Sequence, residues 1–301
     1  MDEALFAQLA TILELGRSVV LASVLDTHGS TPRQRGARML IEPDAIHASV
    51  GGGAMEARVI DAARALMIEG GERVLLDIAL DGRAGSAGIC GGGMRLVLRH
   101  WRGAAMTCRS RELAKHLARG EGLTMRADEL GVEHVLAQKL YARPRLLVAG
   151  AGHCGHALAQ MAKALDFDVW VADSRSECFA YERFAGVQVS DASAANLQLA
   201  CASPRDLYIV LLSRDFPADV AVLTSLAGVS CRFIGMMGSR RRIAQVHAAL
   251  PHHAAWLAQI TAPIGMEIGA QTPYEIAVSI LAQLIACRGT ARSVQAGDVG
   301  T

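Results

Sequence analysis

One stretch, Arg145 to Arg175 (RLLVAGAGHCGHALAQMAKALDFDVWVADSR), constrains the chain more than any other. Leu146 to Ala149 is a short apolar run suited to a buried parallel strand. Gly150-Ala151-Gly152-His153-Cys154-Gly155 follows, a G-x-G-x-x-G. Leu158, Met161, Ala162 and Leu165 then recur on one helical face. Asp166 and Phe167 interrupt that helix, and Asp168 to Ala172 is a second strand ending at Asp173. That acid stands about 20 residues beyond the glycines, from where a carboxylate reaches a ribose 2′-hydroxyl. Gly150 suits the tight turn, Gly152 lets backbone amides approach a diphosphate, and Gly155 packs the helix on the strand. The helix start, with His153 beside it, supplies partial positive charge to phosphates. Strand, loop, helix, strand and acid together predict a nucleotide-type Rossmann unit. Such a unit either binds a dinucleotide, holds another phosphate-bearing ligand, or serves as scaffold.

A chain of 301 residues is long enough for two domains. The pattern predicts an α/β protein: an N-terminal α+β domain over 1–125, a connection over 126–143, and a Rossmann-like doubly wound parallel sheet over 144–290. A tail is expected over 291–301. A formal net charge of +1 and an aromatic content of 4% argue against nucleic-acid and membrane partners. No apolar run approaches a membrane span, and the acidic start Met1-Asp2-Glu3 lacks the shape of a signal peptide. Seven cysteines without a C-x-x-C pair fit a reducing cytoplasm.

In the first half, Ser18 to Leu25 reads as a strand running into Asp26-Thr27-His28-Gly29-Ser30-Thr31-Pro32-Arg33. Arg33, Arg35 and Arg38 make the next segment either an anion loop or a solvated hairpin. Gly51-Gly52-Gly53 opens a helix whose apolar face carries Val59, Ile60, Ala63, Leu66 and Met67. A glycine-rich turn at a helix start is a second candidate phosphate cradle, and Glu56 in the first turn complements the helix dipole. Cys90 stands among glycines, ahead of Gly91-Gly92-Gly93 and the strand Met94 to Leu98. It is either a small buried hydrophobe or an accessible thiolate, and a thiolate there would be a nucleophile or soft metal ligand.

In the second half, Leu207 to Leu212 is an apolar central strand, and Arg214-Asp215 stand at its C-terminal end, where open α/β sheets bind ligands. Gly238-Ser239-Arg240 opens a helix with Ser239 as N-cap; the arginines there mark an anion site or a solvated basic face. Thr272-Pro273-Tyr274-Glu275 is a capping box with Pro at the first helical position, which gives Glu275 a structural role.

Across both halves the chain resembles the XdhC/CoxI family of accessory factors for molybdenum hydroxylases such as xanthine dehydrogenase. The resemblance lies in Gly29 to Arg33, Gly51 to Glu56, Cys90-Gly91-Gly92, Gly150 to His153, Asp173-Ser174-Arg175, Gly235 to Arg240 and Pro263 to Ser279. It implies a protein that binds molybdenum cofactor, as molybdopterin or its dinucleotide form, holds it during sulfuration, and passes it to an apo-enzyme. The implied partners are that molybdenum hydroxylase, a cysteine desulfurase and a second copy of the chain in a homodimer. The implied cofactor contacts are Gly51, Gly52, Gly53, Glu56, Cys90, Gly150, Gly152, His153, Gly155, Asp173, Arg175, Arg214, Asp215, Gly238, Ser239 and Arg240, with Cys90 the candidate molybdenum ligand or sulfur acceptor. Two positions depart from the family pattern. Ala54 stands where some relatives carry Cys, which weakens a two-thiol site. Ser213-Arg214-Asp215 replaces a common Thr-His-Asp, so no proton-transfer role carries over, and Arg214 favours phosphate contact. The alternative from another class is an NAD(P)-dependent oxidoreductase, which rests on Gly150 to Asp173 alone.

Overall fold

The computed structural model describes residues 2–83, 86–88, 91–132, 137–179 and 183–297. The chain divides into two compact units, Met1–Ala142 and Arg143–Thr301.

The first unit comprises α1 (Asp2–Glu14), β1 (Val19–His28), β2 (Arg38–Ile41), β3 (Ile46–Ala48), α2 (Gly53–Ile68), β4 (Arg73–Leu80), β5 (Gly92–Trp101), α3 (Gly103–Ala118), β6 (Leu123–Met125), α4 (Ala127–Leu130) and β7 (Gln138–Leu140). Five strands form an antiparallel sheet in the order β3-β2-β1-β5-β4. Strand side chains alternate between faces, and β1 is buried on both. Val19 and Leu21 join Phe6, Leu9, Trp101, Leu113 and Leu117 from α1, β5 and α3. Val20, Ala22 and Val24 join Met55, Val59 and Ala63 of α2. Burying one such large apolar side chain contributes about 2 kcal/mol.

The connection expected over 126–143 is not a separate linker: residues 126–132 and 137–142 belong to this unit. Its elements α4 and β7 fall there, and the buried Gln138 of β7 donates to Val24 O at 2.8 Å. Gln138 also accepts from Arg38 Nη2 at 2.9 Å, while Arg38 Nη1 donates to Asp2 Oδ1 at 2.8 Å. Arg38 is therefore a buried hub of the unit rather than part of an anion loop. Short polar strands and a one-turn helix carry too little periodicity to be read from sequence.

The second unit comprises β8 (Arg145–Ala149), α5 (His153–Ala164), β9 (Asp168–Ala172), β10 (Gln188–Ser190), α6 (Ala194–Cys201), β11 (Leu207–Leu211), α7 (Phe216–Leu226), β12 (Phe233–Met236), α8 (Arg240–Ala249), α9 (Ala254–Leu257) and α10 (Pro273–Gly297). Its parallel sheet has the order β10-β9-β8-β11-β12, a doubly wound arrangement whose strand order reverses between β8 and β11. Leu146 and Val148 face α5 and α10, while Leu147 and Ala149 face α6, α7 and α8. The continuous apolar run of β8 is thus split between two buried faces, as parallel strands require. Helix α10 starts at the expected Thr272 box, where Glu275 Oε2 accepts from Thr272 N at 2.9 Å. It runs on to Gly297, past the start of the expected tail. Among the described residues, no helix is long and apolar enough to cross a membrane.

Candidate functional site

The register of the parallel sheet aligns Ala149 with Ala172 on one side and with Leu211 on the other. The residues after each strand therefore leave the sheet at one level. Gly150, Asp173 and Ser213 rim a cleft of about 680 Å³ at the C-terminal edge. Gly152, His153, Arg175, Arg214 and Asp215 also line it. Seven predicted contacts thus converge at one switch point, where doubly wound sheets bind ligands.

The glycines differ in what they do. A Cβ on Gly155 would stand 1.8 Å from Gly150 O, so α5 can approach β8 only with glycine there. Gly155 is buried inside and does not line the cleft. A Cβ on Gly152 would meet nothing within 4 Å, and its φ of −66° is ordinary. Gly152 therefore leaves open space in front of the first turn of α5, whose N-terminus no side chain caps. First-turn amides lack intrahelical partners and carry the positive end of the helix dipole. This cradle fits a phosphate or diphosphate.

Asp173 is only 6% exposed. Its Oδ2 accepts from Ala151 N at 2.7 Å and Arg175 Nη2 at 2.8 Å. Its Oδ1 accepts from Arg175 N at 3.0 Å and Arg175 Nε at 2.9 Å. Burial alone would raise its pKa, but the Arg175 side chain and the two amides outweigh that and hold it below the usual carboxylate range. Asp215 caps α7, its Oδ2 accepting from Ala218 N at 3.1 Å. Arg214 is exposed and makes no hydrogen bond or ion pair with the described residues.

Gly238, Ser239 and Arg240 do not line this cleft; Met237 is the nearest residue in sequence that does. Ser239 caps α8, accepting from Arg242 N at 3.3 Å. Arg242 turns inward to the buried Asp219, with Nε 2.9 Å from Oδ2. Burial pushes the Asp219 carboxyl up, and Arg242 opposes that rise.

The remaining predicted residues belong to the first unit, where three motif loops meet. A Cβ on Gly29 would stand 2.7 Å from Gly91 O, and one on Gly92 would stand 2.3 Å from His28 O and 2.5 Å from Ser30 O. A Cβ on Gly51 would stand 2.7 Å from Pro32 Cγ. Residues 28–30 and 91–92 are thus packed backbone against backbone, and Gly51 lies against the Pro32 ring. The amides of Gly51 and Gly52 in the triple-glycine turn are occupied from within. Glu56 Oε2 accepts from Val50 N at 3.0 Å, Gly51 N at 3.3 Å, Gly52 N at 3.1 Å and Ser49 Oγ at 2.5 Å. Burial opposes ionisation of Glu56, but these four donors prevail and lower its pKa. Gly53 is the first residue of α2. Cys90, the expected thiol, lies outside the described residues. Among the described residues, no cluster of three or more His, Cys, Asp or Glu could hold a metal ion.

Sequence reasoning passed over Cys154, Ser174 and Met237 as cleft residues. Cys154 and Ser174 sit inside recognised motifs, and only the fold turns them toward the space.

A profile described as the XdhC Rossmann domain matches residues 146–284, and one described as the XdhC and CoxI family matches residues 12–78. The chain belongs to the XdhC/CoxI family. Among curated relatives of this XdhC/CoxI chain, the uncharacterized protein YqeB of Escherichia coli is 26% identical over 295 residues, which are 95% of this chain and 47% of YqeB. A probable xanthine dehydrogenase subunit of Bacillus subtilis is 26% identical over 167 residues, 52% of this chain and 46% of that protein. The chain spans about half the length of the curated relatives it matches. A crystal structure described as a xanthine dehydrogenase from Bacillus halodurans superposes with a TM-score of 0.81 at 21% identity, covering 96% of both chains. That likeness establishes a shared fold across both units of the XdhC/CoxI chain.

Proposed function

We propose that this XdhC/CoxI-family chain is an accessory factor in the maturation of a molybdenum hydroxylase of the xanthine dehydrogenase type. It binds molybdenum cofactor, supports its sulfuration and inserts it into the apo-enzyme, with a cysteine desulfurase as sulfur source. The reading includes a cytoplasmic setting and a homodimer.

One observation carries it. The three motifs of the first unit that define the resemblance meet at a single junction, with Gly91, the neighbour of Cys90, against Gly29. A pterin dithiolene carries its own metal, so its holder needs a soft ligand and anion contacts rather than a cluster of metal ligands. Cys90 is the proposed ligand or sulfur acceptor. Gly51, Gly52 and Gly53 shape the adjoining turn, and Glu56 keeps it folded. In the second unit, taken by itself, Gly150, Gly152, His153 and Arg214 line space for a phosphate-bearing nucleotide. The cofactor, when bound, supplies the metal centre destined for the target enzyme; the chain's own residues bind and shield it. Gly238, Ser239 and Arg240, outside the cleft, are a proposed basic edge.

Protein purified without oxygen is expected to release a pterin on denaturation, identified by mass and fluorescence. Cys90→Ala is expected to retain less of it and to activate a target hydroxylase poorly. Protein that neither carries nor takes up the cofactor overturns the proposal. Unchanged retention and activation in Cys90→Ala overturn the role of the thiol alone.

The cleft by itself supports a second reading, an NAD(P)-dependent oxidoreductase. Turnover of reduced nicotinamide, followed by its absorbance with candidate substrates, decides between the two.

A further inference from the structure

We propose that the cleft of the second unit selects a nucleotide carrying a phosphate on its ribose 2′-oxygen over one with a free ribose diol. The inference rests on the reading that this cleft binds a nucleotide, and it names which class.

A ribose diol is read by a carboxylate that accepts its hydroxyl protons. Asp173 stands at that position, yet its acceptor capacity is taken. An ionised carboxylate offers about four lone-pair directions. Here they meet Ala151 N, Arg175 N, Arg175 Nε and Arg175 Nη2, all within 3.0 Å. Asp173 lines the cleft, yet it is almost fully buried and both carboxylate oxygens are engaged by these donors. A diol would have to displace the loop amide or the guanidinium, and either loss leaves a buried polar group unpaired.

The surface offered in its place is made of donors. The Arg175 side chain is 55% exposed, and its Nη1 has no partner among the described residues. Ser174 is exposed beside it with its hydroxyl equally unengaged, and both line the cleft. A guanidinium edge next to a hydroxyl suits a phosphate monoester, which brings acceptors only. Asp173 also fixes the guanidinium by a two-pronged contact, so little side-chain freedom is lost when a phosphate docks. The sequence taken alone favours the unphosphorylated dinucleotide through the acid at the end of the second strand, a preference that Arg175 softens.

The test is calorimetric titration of the full chain with NADP⁺ and NAD⁺. NADP⁺ is expected to bind at least about tenfold more tightly. Arg175→Ala is expected to abolish or reverse that difference, because it weakens NADP⁺ and frees acceptor directions on Asp173 for the diol of NAD⁺. Ser174→Ala leaves the Asp173–Arg175 contact intact and is expected to weaken NADP⁺ by roughly threefold, with NAD⁺ unchanged. NAD⁺ binding as tight as NADP⁺, or a preference that survives Arg175→Ala, overturns this inference and leaves nucleotide binding standing. Absence of binding by either dinucleotide at about 1 mM overturns the nucleotide reading as well.

Discussion

Asp173 Oδ2 lies 2.7 Å from the backbone nitrogen of Ala151, which ties the end of β9 to the glycine loop after β8. The acid thereby holds the loop that forms the floor of the cleft. Asp173→Asn replaces one acceptor oxygen by a donor and removes the charge. It is expected to cost about 2 kcal/mol at neutral pH, read as a lower urea midpoint. Because the folded-state pKa lies below the ordinary value of 3.8, the contribution is present above that value and is lost as pH falls through the folded one. Wild type and variant should therefore converge in strong acid. A deficit that persists there would show that the charge is not what matters.

Glu56 plays the corresponding part in the first unit. Glu56→Ala leaves the amides of Val50, Gly51 and Gly52 without their shared acceptor. The expected loss is about 2 kcal/mol at pH 7. Its folded pKa is also lowered, so the wild-type advantage holds above the ordinary value of 4.5 and fades as pH falls through the folded one. Amide exchange over residues 50–53 should quicken in the variant; unchanged protection there would remove Glu56 as the keeper of the turn.

Arg242→Ala strands the Asp219 carboxylate, which is 1% exposed. Breaking such a pair is expected to cost about 3 kcal/mol at neutral pH. Burial pushes this pKa up, so the deficit should shrink on acidification as the stranded acid takes up a proton. Asp219→Asn in the same background should recover part of the loss. Failure to recover any would locate the damage in packing by the arginine stem instead.

Gly155→Ala and Gly152→Ala separate architecture from binding. The first places a methyl 1.8 Å from a carbonyl oxygen and is expected to prevent the second unit from folding. The second meets open space at an ordinary φ and is expected to leave the melting temperature within about 1 °C. Its methyl enters the cleft, so phosphate-bearing ligands should bind at least about tenfold more weakly. Wild-type affinity in Gly152→Ala would exclude the first turn of α5 as a phosphate cradle.

Most of the regular structure is legible in the residue order. The strand–glycine–helix–strand run from Arg145 to Asp173, the Ser239 cap and the Thr272–Glu275 box are local patterns, because apolar period and capping chemistry act over a few residues. The first-unit elements after Arg126 escaped this reading, being short and polar. What the side chains meet was not legible. That Asp173 answers to Ala151, that Gly92 lies against Ser30, and that Arg38 is held by Gln138 a hundred positions away all depend on which strands become neighbours. Periodicity encodes which face of an element is apolar. The donors and acceptors that converge at its ends are chosen by the sheet order, and that is a property of the whole packed unit.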